Sequence, residues 1–398
     1  MDIVSPLPAV LAVILAVLVC AVLARRLAPP DAQGRFVAID GLRGYLAFCV
    51  FLHHAVIWFF YLKKDQWDVP PSNLYTHFGQ SGVALFFMIT GFLFFSKILD
   101  GKKNGVDWLR LYVSRFLRLT PLYAVAMIGL LTIVLVLSDY SLREPLGAVL
   151  HDVFRWMTFT MRGSPNINGV EGTSIILAGV TWSLPYEWRF YFMLPVFAVM
   201  LRVRVGRPYV VVAVVTLLLV VLKIKNIYPW LSFFGGIFAA FAVRSEQICV
   251  ALRSPIASVV TGLLMAFMVF RFPSTNGAVQ LLVLSAFFTV VAAGNSFFGF
   301  FTLRASRLLG EMAYGIYLLH GLLLFVLFRF AIGFEAAKAF TPLLHWFVVV
   351  GLIPVLIALC LFCYKKIERP ALQNTSAMTL WLRKKFSVFS REKIHPVG

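Results

Sequence analysis

Residues 35–55 read RFVAIDGLRGYLAFCVFLHHA, from Arg35 to Ala55, a charged, turn-forming start that runs straight into an apolar helix carrying two histidines. On an α-helix at about 100° and 1.5 Å per residue, Arg43 and His54 are eleven positions apart and share one face, about 16 Å from each other. They form a line and not a cluster. With Arg43 at a membrane surface, His54 stands near half the depth of a hydrocarbon core about 30 Å thick. An ionisable side chain at that depth costs about 2 kcal/mol or more, so it faces the bundle interior or a water-filled cavity. His54 is therefore the candidate functional residue. His53 points about 100° away, where a ring bonded to a neighbouring backbone group is the competing reading.

The rest of the chain is suited to the same apolar solvent. Its 398 residues are 61% hydrophobic and 13% charged, with a mean hydropathy of +0.88, which excludes an ordinary soluble protein. The net charge of +19 does not mark a nucleic-acid binder, because the basic residues are spread between apolar spans. Stretches of about twenty apolar residues give eleven candidate spans: 4–24, 43–62, 79–96, 119–138, 182–201, 208–224, 229–243, 255–270, 278–294, 310–331 and 342–364. Alternate loops beginning with Arg25 hold 25 of the 36 Lys and Arg, the opposite loops hold 10, and Arg189 lies inside a span. That bias predicts a cytoplasmic C-terminus and a periplasmic or external N-terminus. The first span carries Arg25 and Arg26 after its apolar run, the reverse of a signal peptide, and reads as a retained helix.

All five cysteines fall in or beside apolar spans, so no disulfide framework is expected. Cys360 and Cys363 form a CxxC, but a single pair within one hydrophobic helix is no zinc signature, and no metal is expected.

Several polar groups interrupt the spans. Gly79, Gly82 and Gly91 in GQSGVALFFMITGFLFFSK permit close helix approach. Arg115 and Arg118 lie one turn apart before Pro121; two guanidinium groups on one face suit a grip on phosphate, with plain positive-inside charge as the alternative. The longest loop, 139–181, carries His151, Asp152, Arg155, Trp156 and the flexible-looking GSPNINGVEG, and reads as a part-buried lid or a re-entrant amphipathic segment. It leads into TWSLPYEWRFYFMLPVF, where Glu187 and Arg189 enter an apolar helix and Ser183 and Tyr191 flank Glu187 on its own face. Glu187 is functional or is neutralised by Arg189 or another helix. A late span, LGEMAYGIYLLHGLLLFVLF, puts His320 in mid-membrane with Tyr317 one turn away.

Taken together these segments resemble the acyltransferase type 3 family of integral-membrane acyltransferases. The resemblance rests on Arg43 and His54 in DGLRGYLAFCVFLHHA, TGFL with Thr90 where serine is common, SRFLRLTPLY, WSLPYEWRFYFMLP, the YLLH of the late helix and the closing ERP, in order from about Arg35 to Pro370. It implies an all-α, polytopic helix bundle: a ten-helix core over residues 31–370, preceded by one extra N-terminal span (1–30) and followed by a basic tail (371–398). The chain lacks the long C-terminal extension some members carry.

The implied activity is transfer of an acyl group, commonly acetyl from acetyl-CoA, to a hydroxyl of a cell-envelope glycan at a bacterial inner membrane. A neutral imidazole in a buried cavity is suited to take the hydroxyl proton, which makes His54 the base. Arg43, Arg115 and Arg118 would hold the phosphates of CoA at the cytoplasmic face, Arg43 counting also as catalytic. Glu187, entering its span from the side opposite the arginines where a glycan acceptor would arrive, would orient the sugar hydroxyl or polarise His54, and Trp182, Ser183, Tyr191 and His320 would meet the acceptor. The rival from another class is a proton-coupled transporter or flippase using His54, Glu187 and His320 as a relay. A second rival keeps the chemistry and changes the acceptor to a lipid, peptidoglycan or small metabolite.

Overall fold

The computed structural model describes residues 2–27 and 36–391, so Arg35 of the opening stretch lies outside the described residues. They form seventeen α-helices with short 3-10 and π turns, and no strand is present among them. The first group is α1 (Pro6–Arg25), α2 (Val37–Lys64), α3 (Asn73–Asn104), α4 (Trp108–Leu137), α5 (Leu146–Met157), α6 (Leu184–Met200), α7 (Arg207–Lys223) and α8 (Tyr228–Ala242). The second is α9 (Glu246–Leu252), α10 (Pro255–Arg271), α11 (Ala278–Ala292), α12 (Arg304–Glu311), α13 (Ala313–Val326), α14 (Phe334–Lys338), α15 (Pro342–Cys363), α16 (Arg369–Gln373) and α17 (Thr375–Arg391). Every one of the eleven apolar stretches is helical. Six helical segments are long and apolar enough to cross a membrane alone, and the bent pair α8 and α9 makes a seventh if it is one span. This is a multi-pass membrane protein.

Local chemistry sets the boundaries. Ser72, Asp107, Ser254 and Thr341 cap α3, α4, α10 and α15 by accepting backbone N–H groups of their first turns. At its far end α2 stops where Asp65 takes the left-handed conformation at φ 55°, just before the two prolines that follow.

Burial sorts the helices into shells. Helix α2 is buried on nearly all sides and packs on α3, α12 and α13. It crosses α12 at backbone contact, where a β-carbon on Gly44 would stand 2.7 Å from Gly310 N. Helix α1 turns Ala9, Ala12, Ala16 and Cys20 towards α12 and α15 and leaves Leu7, Leu11, Ile14, Leu18 and Val22 exposed, a small-residue face inward and a lipid face outward.

The long loop is folded. Helix α5 exposes Leu146, Leu150, Phe154 and Met157 on one stripe, while Trp156 is buried and donates to Pro165 O at 2.9 Å. Such a stripe suits a helix lying in the membrane interface. The flexible reading of GSPNINGVEG is corrected: Asn168 donates to Ser141 O at 2.8 Å and accepts from Arg143 N at 2.8 Å, which pins the segment. Two 3-10 turns, Thr173–Leu177 and Val180–Ser183, then carry the chain into the bundle against α13, so α6 starts inside the protein. The re-entrant alternative is the one realised.

Candidate active site

Helices α2, α3, α4, α6 and α13 surround a cavity of about 400 Å³. Its polar wall comes from six helices: Arg43 of α2, Thr90 of α3, Arg115 and Arg118 of α4, Ser183 and Glu187 around the start of α6, Glu311 of α12, and Tyr314 and Tyr317 of α13. Val83, Phe86, Phe87, Leu93 and Phe94 line its α3 side. Their spacing follows the helical repeat, which is why one stripe of α3 faces the hollow.

Each cation has distinct company. Arg118 lies 3.5 Å from Glu368, a carboxylate with no exposed side-chain surface, just beyond the end of α15. Arg43 lies 3.9 Å from Asp40, one turn earlier on its own helix. Arg115 stacks over the Phe94 ring at 5.0 Å from its centroid and leaves its Nε without a hydrogen-bond partner among the described residues. Tyr191 donates to Glu187 at 3.0 Å, and Tyr364 donates to Glu311. At the deep end, Ser183 and Tyr317 share a hydroxyl–hydroxyl bond of 2.7 Å, and Tyr317 also donates to Val180 O at 3.0 Å.

The histidines stand beyond that end. His320 is three residues, about 4.5 Å of helix rise, past Tyr317. Its Nδ1 lies 2.8 Å from Ile316 O, and its Nε2 lies 3.0 Å from His54 Nδ1, which is itself 2.9 Å from Val50 O. Carbonyls only accept, so this pattern assigns the proton of each ring to Nδ1. The one Nδ1 proton of His54 is then shared between Val50 O and His320 Nε2, and His54 Nε2 is left with its lone pair. Trp67 stacks on the His54 ring at 6.2 Å between centroids.

The expected site is brought together in part. Arg43, Arg115, Arg118, Ser183, Glu187 and Tyr191 share the cavity. Glu187 does not approach from the far side of the bundle: the re-entrant turns bring it to the arginines, and the described hydrogen-bond partner of His54 is His320. Arg189 does not neutralise it, since its guanidinium donates to Met161 O at 3.2 Å. His320 is fully buried on His54 and does not line the cavity, while Trp182 is half exposed and lines a different hollow. His53 takes the structural option, donating Nδ1–H to Tyr75 O at 2.7 Å.

Residues not singled out from sequence are Glu368, Tyr314 and Tyr364. Glu368 had a signal, since it is the Glu of the closing ERP.

The family model described as an acyltransferase domain matches residues 36–365. The chain belongs to the acyltransferase type 3 family. The matched residues of this acyltransferase contain every cavity side chain named above and the histidine pair, and they begin after α1. No curated protein and no solved structure matches the chain.

Proposed function

We propose that this membrane acyltransferase moves an acyl group, acetyl in the first instance, from acyl-CoA to a hydroxyl of a cell-envelope polysaccharide or lipid-linked glycan. Residues 31–370 are the catalytic domain on this reading, with α1 as an appendage. The donor enters at the end of the bundle carrying Arg43, Arg115 and Arg118, and the excess of Lys and Arg in the alternate loops supports reading that end as cytoplasmic, in a bacterial inner membrane on this proposal. The observation that carries the proposal is one cavity holding three guanidinium groups, with His320, hydrogen-bonded to His54, one helical turn beyond Tyr317 in its wall.

The guanidinium groups bind the phosphates of CoA in charge-assisted, bidentate contacts. His54 Nε2 takes the proton of the acceptor hydroxyl as its oxygen attacks the thioester carbonyl. The tetrahedral intermediate collapses, the carbon–sulfur bond breaks, and the imidazolium returns the proton to the leaving thiolate. His320 acts through His54 by holding its Nδ1–H. Ser183 and Tyr317, at the deep end, offer hydroxyls to the acceptor or the carbonyl.

The test is transfer of radiolabelled acetyl from acetyl-CoA to envelope glycan by the purified chain in lipid nanodiscs, with free thiol followed in parallel. Label in the glycan with stoichiometric thiol is expected. A transporter using the same histidines would leave the thioester intact, and that result would overturn the proposal.

A further inference from the structure

A second hollow, about 200 Å³, opens near the first turns of α8 and α11 and descends along α3. Gln80, Val83 and Ala84 of α3 form its inner wall, and Trp182, Tyr228 and Asn276 stand among its outer residues. Its character is unlike that of the arginine cavity. None of the described residues that line it is charged; they are amides, hydroxyls, three large aromatic rings and smaller apolar groups.

The amides are pre-set as donors. Gln80 Oε1 accepts from both Thr275 N at 2.9 Å and Thr275 Oγ1 at 3.0 Å, which turns its NH₂ away from that loop. Asn226 Oδ1 accepts from Tyr228 N at 3.0 Å, which commits its oxygen in the same way. Two N–H donor groups in a hollow that Trp182 and Tyr228 also line match an uncharged ring bearing hydroxyl and ether oxygens. An anion would find no cation here. A volume below the roughly 300 Å³ of common small-molecule pockets has room for one such ring, with the remainder of a longer molecule outside.

The place of this hollow gives it a role. Val83 and Phe87 line both it and the arginine cavity, so one layer of side chains parts the two. One turn along α3 from Val83 is Gly79, against which the His53 ring packs so closely that a β-carbon there would meet it at 2.5 Å. The two hollows and His53, the chain neighbour of the candidate base His54, thus converge on residues 79–87 of α3.

We propose that this hollow is the acceptor subsite, taking one uncharged sugar unit whose hydroxyl meets the acyl group at the Val83–Phe87 wall. The proposal rests on the acyl-transfer reading for its role, and on the lining chemistry alone for its ligand. Anionic donor and neutral acceptor are then sorted by charge into separate chambers.

The experiment has two readouts on the full chain in nanodiscs. The first is equilibrium binding, without donor, of tritiated neutral oligosaccharide released from the envelope glycan. The second is acetyl transfer, with product partitioned between chloroform–methanol and water to distinguish a lipid-linked sugar from free polysaccharide. Gln80→Ala, Trp182→Ala and Asn276→Trp are each expected to weaken oligosaccharide binding at least tenfold and to raise the acceptor KM by a similar factor, with the KM for acetyl-CoA unchanged. Asn276 is exposed, so its variant tests the site without disturbing the core. No binding by the parent chain, equal binding by all three variants, or a parallel rise in the acetyl-CoA KM would overturn the subsite. Binding that is lost in the variants while the parent chain transfers no acetyl would support the sugar site and overturn the acyl-transfer reading instead.

Discussion

His54 donates to His320, Nδ1 to Nε2 at 3.0 Å, across 266 residues of chain. The bond joins α2 to α13 at the depth where the arginine cavity ends, and it makes one imidazole the positioner of the other. His320 is fully buried and its own Nδ1–H is committed to Ile316 O, so it has no freedom to exchange roles.

Replacing His54 by Ala should lower kcat for acetyl transfer about 10²-fold or more, the common contribution of a general base. His53→Ala should keep most activity and lose stability, because it empties the space of a buried ring and removes a second hydrogen bond to Tyr75 O worth about 0.5–1.5 kcal/mol. Transfer assays paired with thermal unfolding read both, and exchanged outcomes would overturn the assignment of the base.

His320→Ala should reduce kcat while leaving the KM for acetyl-CoA unaltered, since His54 keeps Val50 O but loses the side-chain acceptor that shares its Nδ1–H. Gln at this position carries an oxygen acceptor and should recover part of the rate. A purely structural role predicts that His320→Gln and His320→Ala fail alike, with unfolding temperature falling in step.

The two arginines of α4 should separate in their effects. Arg118→Ala leaves Glu368 buried without its ion pair and should cost about 3–5 kcal/mol, with much of that recovered in the Arg118→Ala, Glu368→Gln double variant. Arg115 has no carboxylate partner of that kind, so Arg115→Lys should raise the acetyl-CoA KM through lost bidentate contact and leave unfolding unchanged. An unchanged KM in the Arg115 variant would return that residue to plain membrane topology.

Gly79→Ala sets two effects against each other. Alanine favours a helix over glycine by about 1 kcal/mol. The added methyl meets the His53 ring at 2.5 Å, and overpacking costs about 1–3 kcal/mol. Crowding should win, giving a destabilised chain with a lower kcat, as read by thermal unfolding and transfer. A more stable and fully active Gly79→Ala variant would show that His53 yields without disturbing His54.

Periodicity carried much of this fold into view. Twenty-residue apolar runs become helices because lipid leaves backbone groups no other partner, so the eleven stretches were legible without a structure. Placing Arg43 and His54 on one line of α2 needed only the helical repeat. Partners across the bundle were different: Arg118 with Glu368 and His54 with His320 are set by which helices abut, and no spacing within one helix encodes that. The position of Glu187 was misjudged for the same reason. Sequence makes it the first acidic residue of a span, whereas the 3-10 turns before α6 had already sunk the chain among its neighbours. Amphipathic α5 carried a readable signal in Leu146, Leu150, Phe154 and Met157, but only burial revealed that this face looks outward.

The partition formed by Val83 and Phe87 has a consequence for the cell as a whole. An aqueous pore wide enough for substrates would short-circuit the ion gradients held across a membrane. On the proposed acyl-transfer reading, two side chains standing between the chambers mean that an esterifying unit of a few atoms is all that has to pass from one to the other, and the bilayer need not be opened to ions for it.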